Sequence, residues 1–275
     1  MHTYCRNLKS AYMYPWAKRT LFIGPLLSPV TVAYGAATLI VSLGDKLHLS
    51  DGSTHHHAMA FLLPPGKTFC IDAKNNPVAI CHLDVLGQDF AGFVREYQQL
   101  SKESEFALHE EDDYRDVFSS LYRTSPDSTD AYEKVDNLLR IKLGPPPVNT
   151  LTDVRIARLV AYVKENFQEN LSIENLANVA GVSVPHLVDI FKETTGITLR
   201  RFRMWHRMYE SVLSVGQGEK LTDVAQHAGF FDASHFTRTF ASMWGLPPSK
   251  LFSGDISAGV ILPSRDHSEA PANHH

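Results

Sequence analysis

Two short stretches near the C-terminal end of this chain set polar side chains between apolar residues four apart. Val188 and Asp189 lie between Leu187 and Phe191, and Thr237 and Arg238 lie between Phe236 and Phe240. Residues four apart share one face of a helix, so each apolar pair turns inward and the side chains between them face out. An outward face of this kind is what can enter a DNA major groove and meet base edges and phosphates. A second chemically capable set is His55-His56-His57 with Cys70 and Cys81, donors of the type that hold zinc or copper.

Each polar stretch needs elements to position it, and the two have the same ones. Leu171 to Phe191 and Leu221 to Phe240 both read as a helix, a glycine turn and a second helix. Ala177 and Ala225 stand 48 residues apart, as do Gly181 and Gly229, while Phe191 and Phe240 are 49 apart. The alanines let the first helix approach the second, and the glycines take a left-handed conformation that a Cβ makes costly. Ser183 is placed to cap the second helix of the first copy, with Pro185 tolerated in its first turn. Asp232, or else Ser234, is placed to cap the matching helix of the second. Between the copies Phe202, Trp205, Met208, Tyr209, Val212 and Leu213 keep an apolar periodicity of their own. A duplicated helix-turn-helix implies double-stranded DNA as the partner.

Residues from about Asp153 to Phe252 resemble the DNA-binding domain of the AraC/XylS family of bacterial transcription regulators. The resemblance is carried by Asp223-Val-Ala-Gln-His-Ala-Gly-Phe-Phe-Asp-Ala-Ser-His-Phe-Thr-Arg-Thr-Phe240 and by Gly245-Leu-Pro-Pro-Ser249. In the first half Leu176-Ala177, Gly181-Val-Ser183, His186-Leu187, Phe191-Lys192, Gly196 and Arg207 also fall where that family places them. It implies seven helices in two subdomains, joined by a long helix around Leu199 to Val215, and two recognition helices entering successive major grooves. By position it makes Ala233, Ser234, His235 and Arg238 DNA contacts, with Thr237 beside them. Arg238 is the strongest of these, because a guanidinium can grip guanine O6 and N7 together, worth about 1–3 kcal/mol of discrimination. His235 can equally be a packed imidazole.

The first recognition helix departs from the family's pattern. Its outward positions are Pro185, His186, Val188 and Asp189. Val188 can meet a thymine methyl and Asp189 can accept from cytosine N4, but a carboxylate repels phosphate. Lys192, Arg200, Arg201 and Arg203 supply cations just beyond, suited to phosphate more than to bases. Arg207 is expected to pack inside the domain. Residues 151–253 carry 11 basic against 10 acidic residues, a net charge of +1 within a chain of −4. Such a module has little sequence-independent grip on DNA, so avidity from a homodimer becomes the expected supplement.

The rest of the chain reads as α+β. Runs at Leu21–Ile23, Val30–Tyr34, Ala37–Leu43, Leu47–Leu49, Ala58–Leu63, Thr68–Ile71 and Val78–Leu83 are bounded by Gly, Pro, Asp or Asn, the layout of a small antiparallel β-barrel. The resemblance makes that barrel cupin-like, with Leu63-Pro-Pro-Gly-Lys as supporting layout, and gives it effector sensing or dimerisation. Helices are expected from Asp89 to Leu100, Tyr114 to Arg123 and Asp130 to Leu143. The last carries a stripe of Ala131, Val135, Leu138 and Leu139 that can pack on the barrel or on a second subunit. The domains are then 1–143, a proline-rich linker 144–150 that hinges them, 151–253, and a mobile tail 254–275.

Histidines 55 to 57 are expected in a solvated turn. A cupin enzyme would need a Glu a few residues later, and here the first carboxylate is Asp72, so neither metal nor cofactor is assigned and the chain is read as no enzyme. Sparse cysteines and the absence of an apolar run long enough to span a bilayer favour the cytoplasm. The reading is thus a transcription regulator, an activator, with promoter DNA, a second copy, a small-molecule effector and RNA polymerase as its partners. A ligand-independent regulator controlled by a protein partner, and a metal-binding cupin fused to a DNA-binding module, stay open.

Overall fold

The computed structural model describes residues 10–26, 29–85, 87–102, 106–108, 111–144, 153–230, 232–244, 247–249 and 257–263. The N-terminal part is two sheets. The larger contains β1 (Ser10–Trp16), β2 (Arg19–Pro25), β4 (Ala37–Ser42), β7 (Ala60–Leu63), β9 (Pro77–Leu83) and β10 (Ser257–Val260), in the order β10-β1-β2-β9-β4-β7. The smaller contains β3 (Val30–Val32), β5 (Leu47–Ser50), β6 (His55–Ala58) and β8 (Phe69–Asp72), in the order β3-β8-β5-β6. The expected cupin-like antiparallel layout is met by these two sheets, packed face to face.

Both faces of the larger sheet are covered, as its alternating residues show. Tyr14, Trp16, Leu21, Ile23, Leu39, Val41, Leu62, Cys81 and Leu83 pack toward helices α1 (Gln88–Lys102), α2 (Asp112–Thr124) and α3 (Ser128–Leu143). Met13, Phe22, Ile40, Phe61, Leu63, Val78 and Ile80 pack instead with Leu47, Leu49, Phe69 and Ile71 of the smaller sheet. A period of two thus builds two cores from one sheet. Arg19 is buried and paired, its guanidinium bonded to Asp89 at 2.5 and 2.9 Å and to Asp136 at 2.8 Å, while its buried Nη1 has no protein partner.

Several expectations are corrected. Ala58–Leu63 is not one strand: the chain breaks at Met59, whose carbonyl accepts from Ser42 N–H at 2.7 Å, so that β6 joins one sheet and β7 the other. His55, His56 and His57 consequently lie on β6, at the edge of the smaller sheet, and not in a turn. Of the two packings open to the stripe Ala131, Val135, Leu138 and Leu139, the one within its own chain is found. Part of the tail is a strand: β10 runs parallel to β1, pairing Ser10 with Ser257 through Met13 with Val260. The proline-rich segment from Pro145 onward lies outside the described residues.

The C-terminal part is helical: α4 (Val154–Glu165), α5 (Ile173–Ala180), α6 (Val184–Thr195), α7 (Leu199–Gly216), α8 (Leu221–His227) and α9 (Ala233–Trp244). Pro248 and Ser249 are again helical. The tail reaches α7 as well, since a Cβ at Gly216 would come within 2.8 Å of Val260 and Leu262. One short strand therefore lies against both β1 and the long helix.

Candidate nucleic-acid interface

In the first unit α5 is capped by Ser172, whose hydroxyl accepts from Asn175 N–H at 3.2 Å, and ends at Gly181 with φ +69°. Val182 N–H returns to Ala177 carbonyl at 3.1 Å, closing the turn onto α6. Ser183 occupies the cap position of α6, but its side chain makes no capping bond there. Leu187, Ile190 and Phe191 are buried, while Pro185, His186, Val188, Asp189 and Lys192 are exposed. His186 Nε2 lies 3.4 Å from the Arg155 guanidinium. The predicted outward face is therefore outward.

In the second unit Gly229 turns the chain with φ +72°, and Asp232 caps α9 by accepting from His235 N–H at 2.5 Å. Phe236 and Phe240 are buried, and Ala233, Ser234, Thr237 and Arg238 are exposed on the first turns of α9. Of the two readings open for His235 the structure favours the packed one: its ring is half-buried, edge-on to Phe230 at 5.5 Å, and its buried Nδ1 has no protein partner. The far end of α9 is held by the smaller sheet, with Ala33 N–H donating to Ser242 carbonyl at 3.3 Å. The N-terminal half of α9 is left facing solvent.

The arginines of α7 divide by role. Arg200 is exposed beside the first unit. Arg201 turns toward the N-terminal domain, where its Nη1 is buried near Gly66, so it does not belong to the phosphate-facing set. Arg203 donates to Leu171 carbonyl at 2.8 Å. Arg207 spans both units, donating to Phe167 carbonyl at 2.9 Å and Glu169 carbonyl at 2.9 Å before α5, and to Gly229 carbonyl at 3.1 Å in the second turn.

Comparison with known proteins agrees with this geometry. Residues 176–253 match a family model described as a helix-turn-helix domain. The transcriptional activator RhaS of Enterobacter sp. (strain 638) is 30% identical over 103 residues, 37% of each chain. An HTH-type transcriptional regulator of Staphylococcus aureus is 31% identical over 109 residues, 39% of this chain and 14% of its own. The chain thus spans well under half the length of these relatives. Apo ToxT from Vibrio cholerae superposes with a TM-score of 0.59 at 15% identity, over 86% of this chain and 97% of that one. Residues 176–253 thus form a helix-turn-helix domain of the kind found in these regulators. The likeness to ToxT extends its fold across both domains.

The helical domain meets the sheet domain along a cleft of about 120 Å³ that sequence reasoning did not find. Trp16, Thr20 and His82 line it from the sheets, and Lys164, Phe202, Trp205, His206 and Tyr209 from α4 and α7. Lys164 Nζ bonds Asp84 across it at 2.8 Å. His206 Nε2 lies 3.3 Å from Lys164 carbonyl and 3.4 Å from Glu210. The available signal was the apolar periodicity of α7, whose Phe202, Trp205 and Tyr209 face the cleft as well as packing the helix.

Burial dominates the titration of this cluster. Desolvation lifts Glu210 from 4.5 to about 7 and depresses His206 from 6.5 to about 4. Between pH 4.5 and 7 folded Glu210 retains a proton that the unfolded chain releases, so its contribution to stability is lost as pH rises. Between pH 4 and 6.5 folded His206 lacks a proton that the unfolded chain holds, so its contribution grows as pH rises. The two slopes oppose each other. Glu210→Gln removes the falling one, and the variant's Tm is expected to climb more steeply with pH through 4.5 to 6.5 than that of the parent. Parallel Tm curves in a pH series would place Glu210 in solvent.

Among the described residues no group of three His, Cys, Asp or Glu side chains is arranged to hold a metal ion. His48 stacks between His55 and His57 on the outer sheet face, with ring centroids 5.1 and 4.6 Å apart. Cys70 is exposed, and Cys81 is buried under the helices with its thiol pushed up to about 12 by desolvation.

Proposed function

We propose that the chain is a sequence-specific transcription regulator that binds double-stranded promoter DNA as a homodimer in the cytoplasm and answers to a small molecule held between its domains. The observation that carries this is the exposed quartet Ala233, Ser234, Thr237 and Arg238 on a capped helix, in a domain whose other half repeats the same plan. RhaS, which shares that domain, is a transcriptional activator; activation through RNA polymerase is the corresponding reading here. No described helix is long and apolar enough to cross a membrane.

The effector belongs in the cleft and not in the sandwich interior, which Phe22, Phe61, Phe69 and Ile80 fill. ToxT, of similar fold, has been crystallised with (E)-4-(8-methylnaphthalen-1-yl)but-3-enoic acid, and a flat apolar body suits walls of Trp16, Phe202 and Trp205. The homologues are regulators, and we read the chain as no enzyme.

Selection from a random duplex pool tests the reading: purified protein is expected to enrich one recurring motif. A pool returned without a motif would sink it. On the enriched site Asp189→Arg is expected to raise affinity about tenfold at low salt and to steepen the log–log salt dependence by about one, since a repelled phosphate becomes a contacted one. An unchanged slope would mean that Asp189 is remote from the backbone.

A further inference from the structure

The larger sheet ends in a strand drawn from beyond both recognition helices. β10 lies parallel to β1, with Ser257 level with Ser10 and Val260 with Met13, and Ile261 N–H extends the ladder by donating to Met13 carbonyl at 2.8 Å. Among the described strands it is an edge of that sheet. Its side chains divide between two neighbours: Val260 packs with the core that Met13 shares with Met208 and Val212 of α7, and Ile261 packs with the other core. Ser-Ala-Gly-Val has little strand preference of its own, so its contacts hold it in place.

On the helix side the contact is with Gly216. A Cβ there would stand 2.7 Å from Val260 Cγ1, 2.8 Å from Leu262 Cδ2 and 3.1 Å from Val260 Cβ. Glycine at a helix end ordinarily supplies a left-handed turn, but here Gly218 does so with φ +94°, and Gly216 stays within α7. At a position with ordinary helical dihedrals alanine is the better residue. The glycine is therefore explained by the close approach of the strand and not by the helix.

The contact sits at a junction, because Gly216 ends the helix that leads into α8 and α9. Val224, Ala225, Phe236 and Phe240 of the second unit belong to the same core as Met13, Phe22 and Ile80 of the sheets, and Ala33 N–H holds α9 at Ser242 carbonyl. The second unit is thus gripped at its entry by β10 and at its far end by the smaller sheet. We propose that residues 257–262 are a strap that fastens the second helix-turn-helix unit to the sheet domain, so that α9 is oriented by the sheets as well as by the helical domain. Peeling β10 from β1 frees the end of α7, and with it the entry to α8. A change in the sheet domain that moves β1 reaches the recognition helix by this route. The strap goes beyond the regulator reading, and only its consequence for DNA binding rests on that reading.

The test uses the full chain with Gly216→Ala, Ile261→Pro, which removes the N–H bonded to Met13, and the two combined. Gly216→Ala is expected to lower Tm by about 2–4 °C in the parent, where the methyl meets the strap, and to raise it by about 1–3 °C beside Ile261→Pro, where helix propensity alone acts. If Ile261→Pro does not fold, Val260→Ala with Leu262→Ala removes the atoms that face Gly216, and the same reversal is expected there. A Tm change of one sign in both backgrounds overturns the strap. Hydrogen exchange gives a second readout: in Ile261→Pro the amides of α8 and α9 are expected to exchange about tenfold faster while those of α5 and α6 keep their rates. Unchanged exchange in α8 and α9 overturns the proposal even where the Tm reversal is seen. On a site enriched by the parent, Ile261→Pro is expected to bind severalfold more weakly, and equal affinity overturns the orientation of α9 by the sheets. Melting and exchange decide the strap whether or not the DNA pool returns a motif, so its failure is distinguished from failure of the regulator reading.

Discussion

Arg207→Ala is expected to destabilise the chain by about 2–4 kcal/mol, the loss of three charge-assisted hydrogen bonds less what partly exposed carbonyls regain from water. It is also expected to weaken specific DNA binding beyond its effect on folding. The guanidinium holds the loop before α5, at Phe167 and Glu169, to the turn of the second unit at Gly229. A Cβ at Gly229 would stand 3.2 Å from that guanidinium and 3.0 Å from Gln168 carbonyl, so the contact is close as well as polar. Removing it frees the angle between the two recognition helices without touching either outward face. The measurement is denaturant unfolding followed by tryptophan fluorescence, with DNA binding assayed where the variant remains folded. Arg207→Lys should recover little, because one ammonium cannot reproduce a planar fork reaching three carbonyls. Unchanged stability would show that α7 alone fixes the two units.

The helix-turn-helix units were legible because each of their signals is local. A glycine, a cap and two apolar residues four apart specify a turn and a face within about twenty residues, and α5, α6, α8 and α9 follow them closely. His235 shows where local signals stop: its packing on Phe230 depends on the other side of the turn. The strands were legible where apolar runs were bounded by turn residues. β1 was missed because Pro15 within Ser10–Trp16 argues against a strand, yet it pairs with Thr20 in the sheet. β10 was missed because Ser-Ala-Gly-Val carries little strand preference and becomes one only beside β1, far away in sequence.

The cleft was illegible for the same reason in stronger form. Trp16, His82, Lys164 and Trp205 lie in β1, β9, α4 and α7, and no spacing in the chain relates them. Arg201 illustrates the cost of reading charge by position alone. It sits in a basic run that resembles a phosphate grip, but Gly66 of the Leu63-Pro-Pro-Gly-Lys turn draws it into the domain interface. Of the arginines Arg200, Arg201, Arg203 and Arg207, Arg200 keeps its exposed setting, while Arg203 and Arg207 donate to backbone carbonyls.

That redistribution concentrates the burden of recognition on α9. Arg238→Ala is expected to weaken binding to the enriched site by about 1–3 kcal/mol, roughly 5- to 150-fold. Arg238 is exposed on the side of α9 opposite Phe236 and Phe240, on a helix fixed at one end by Asp232 and at the other by the smaller sheet. Such a side chain arrives with its backbone already oriented, so its loss is not repaired by helix movement. Two outcomes separate its roles. If the guanidinium grips a guanine, the variant loses discrimination at one position of the motif while its salt slope stays nearly constant. If it holds a phosphate, affinity falls uniformly across sequences and the slope drops by about one. Val188→Ala provides the comparison in the first unit, where only a methyl contact of modest worth is at stake. Should Arg238→Ala bind at full strength while Val188→Ala or Asp189→Ala abolishes binding, the unit with the acidic face is the one that reads DNA, and the ranking of the two helices is reversed.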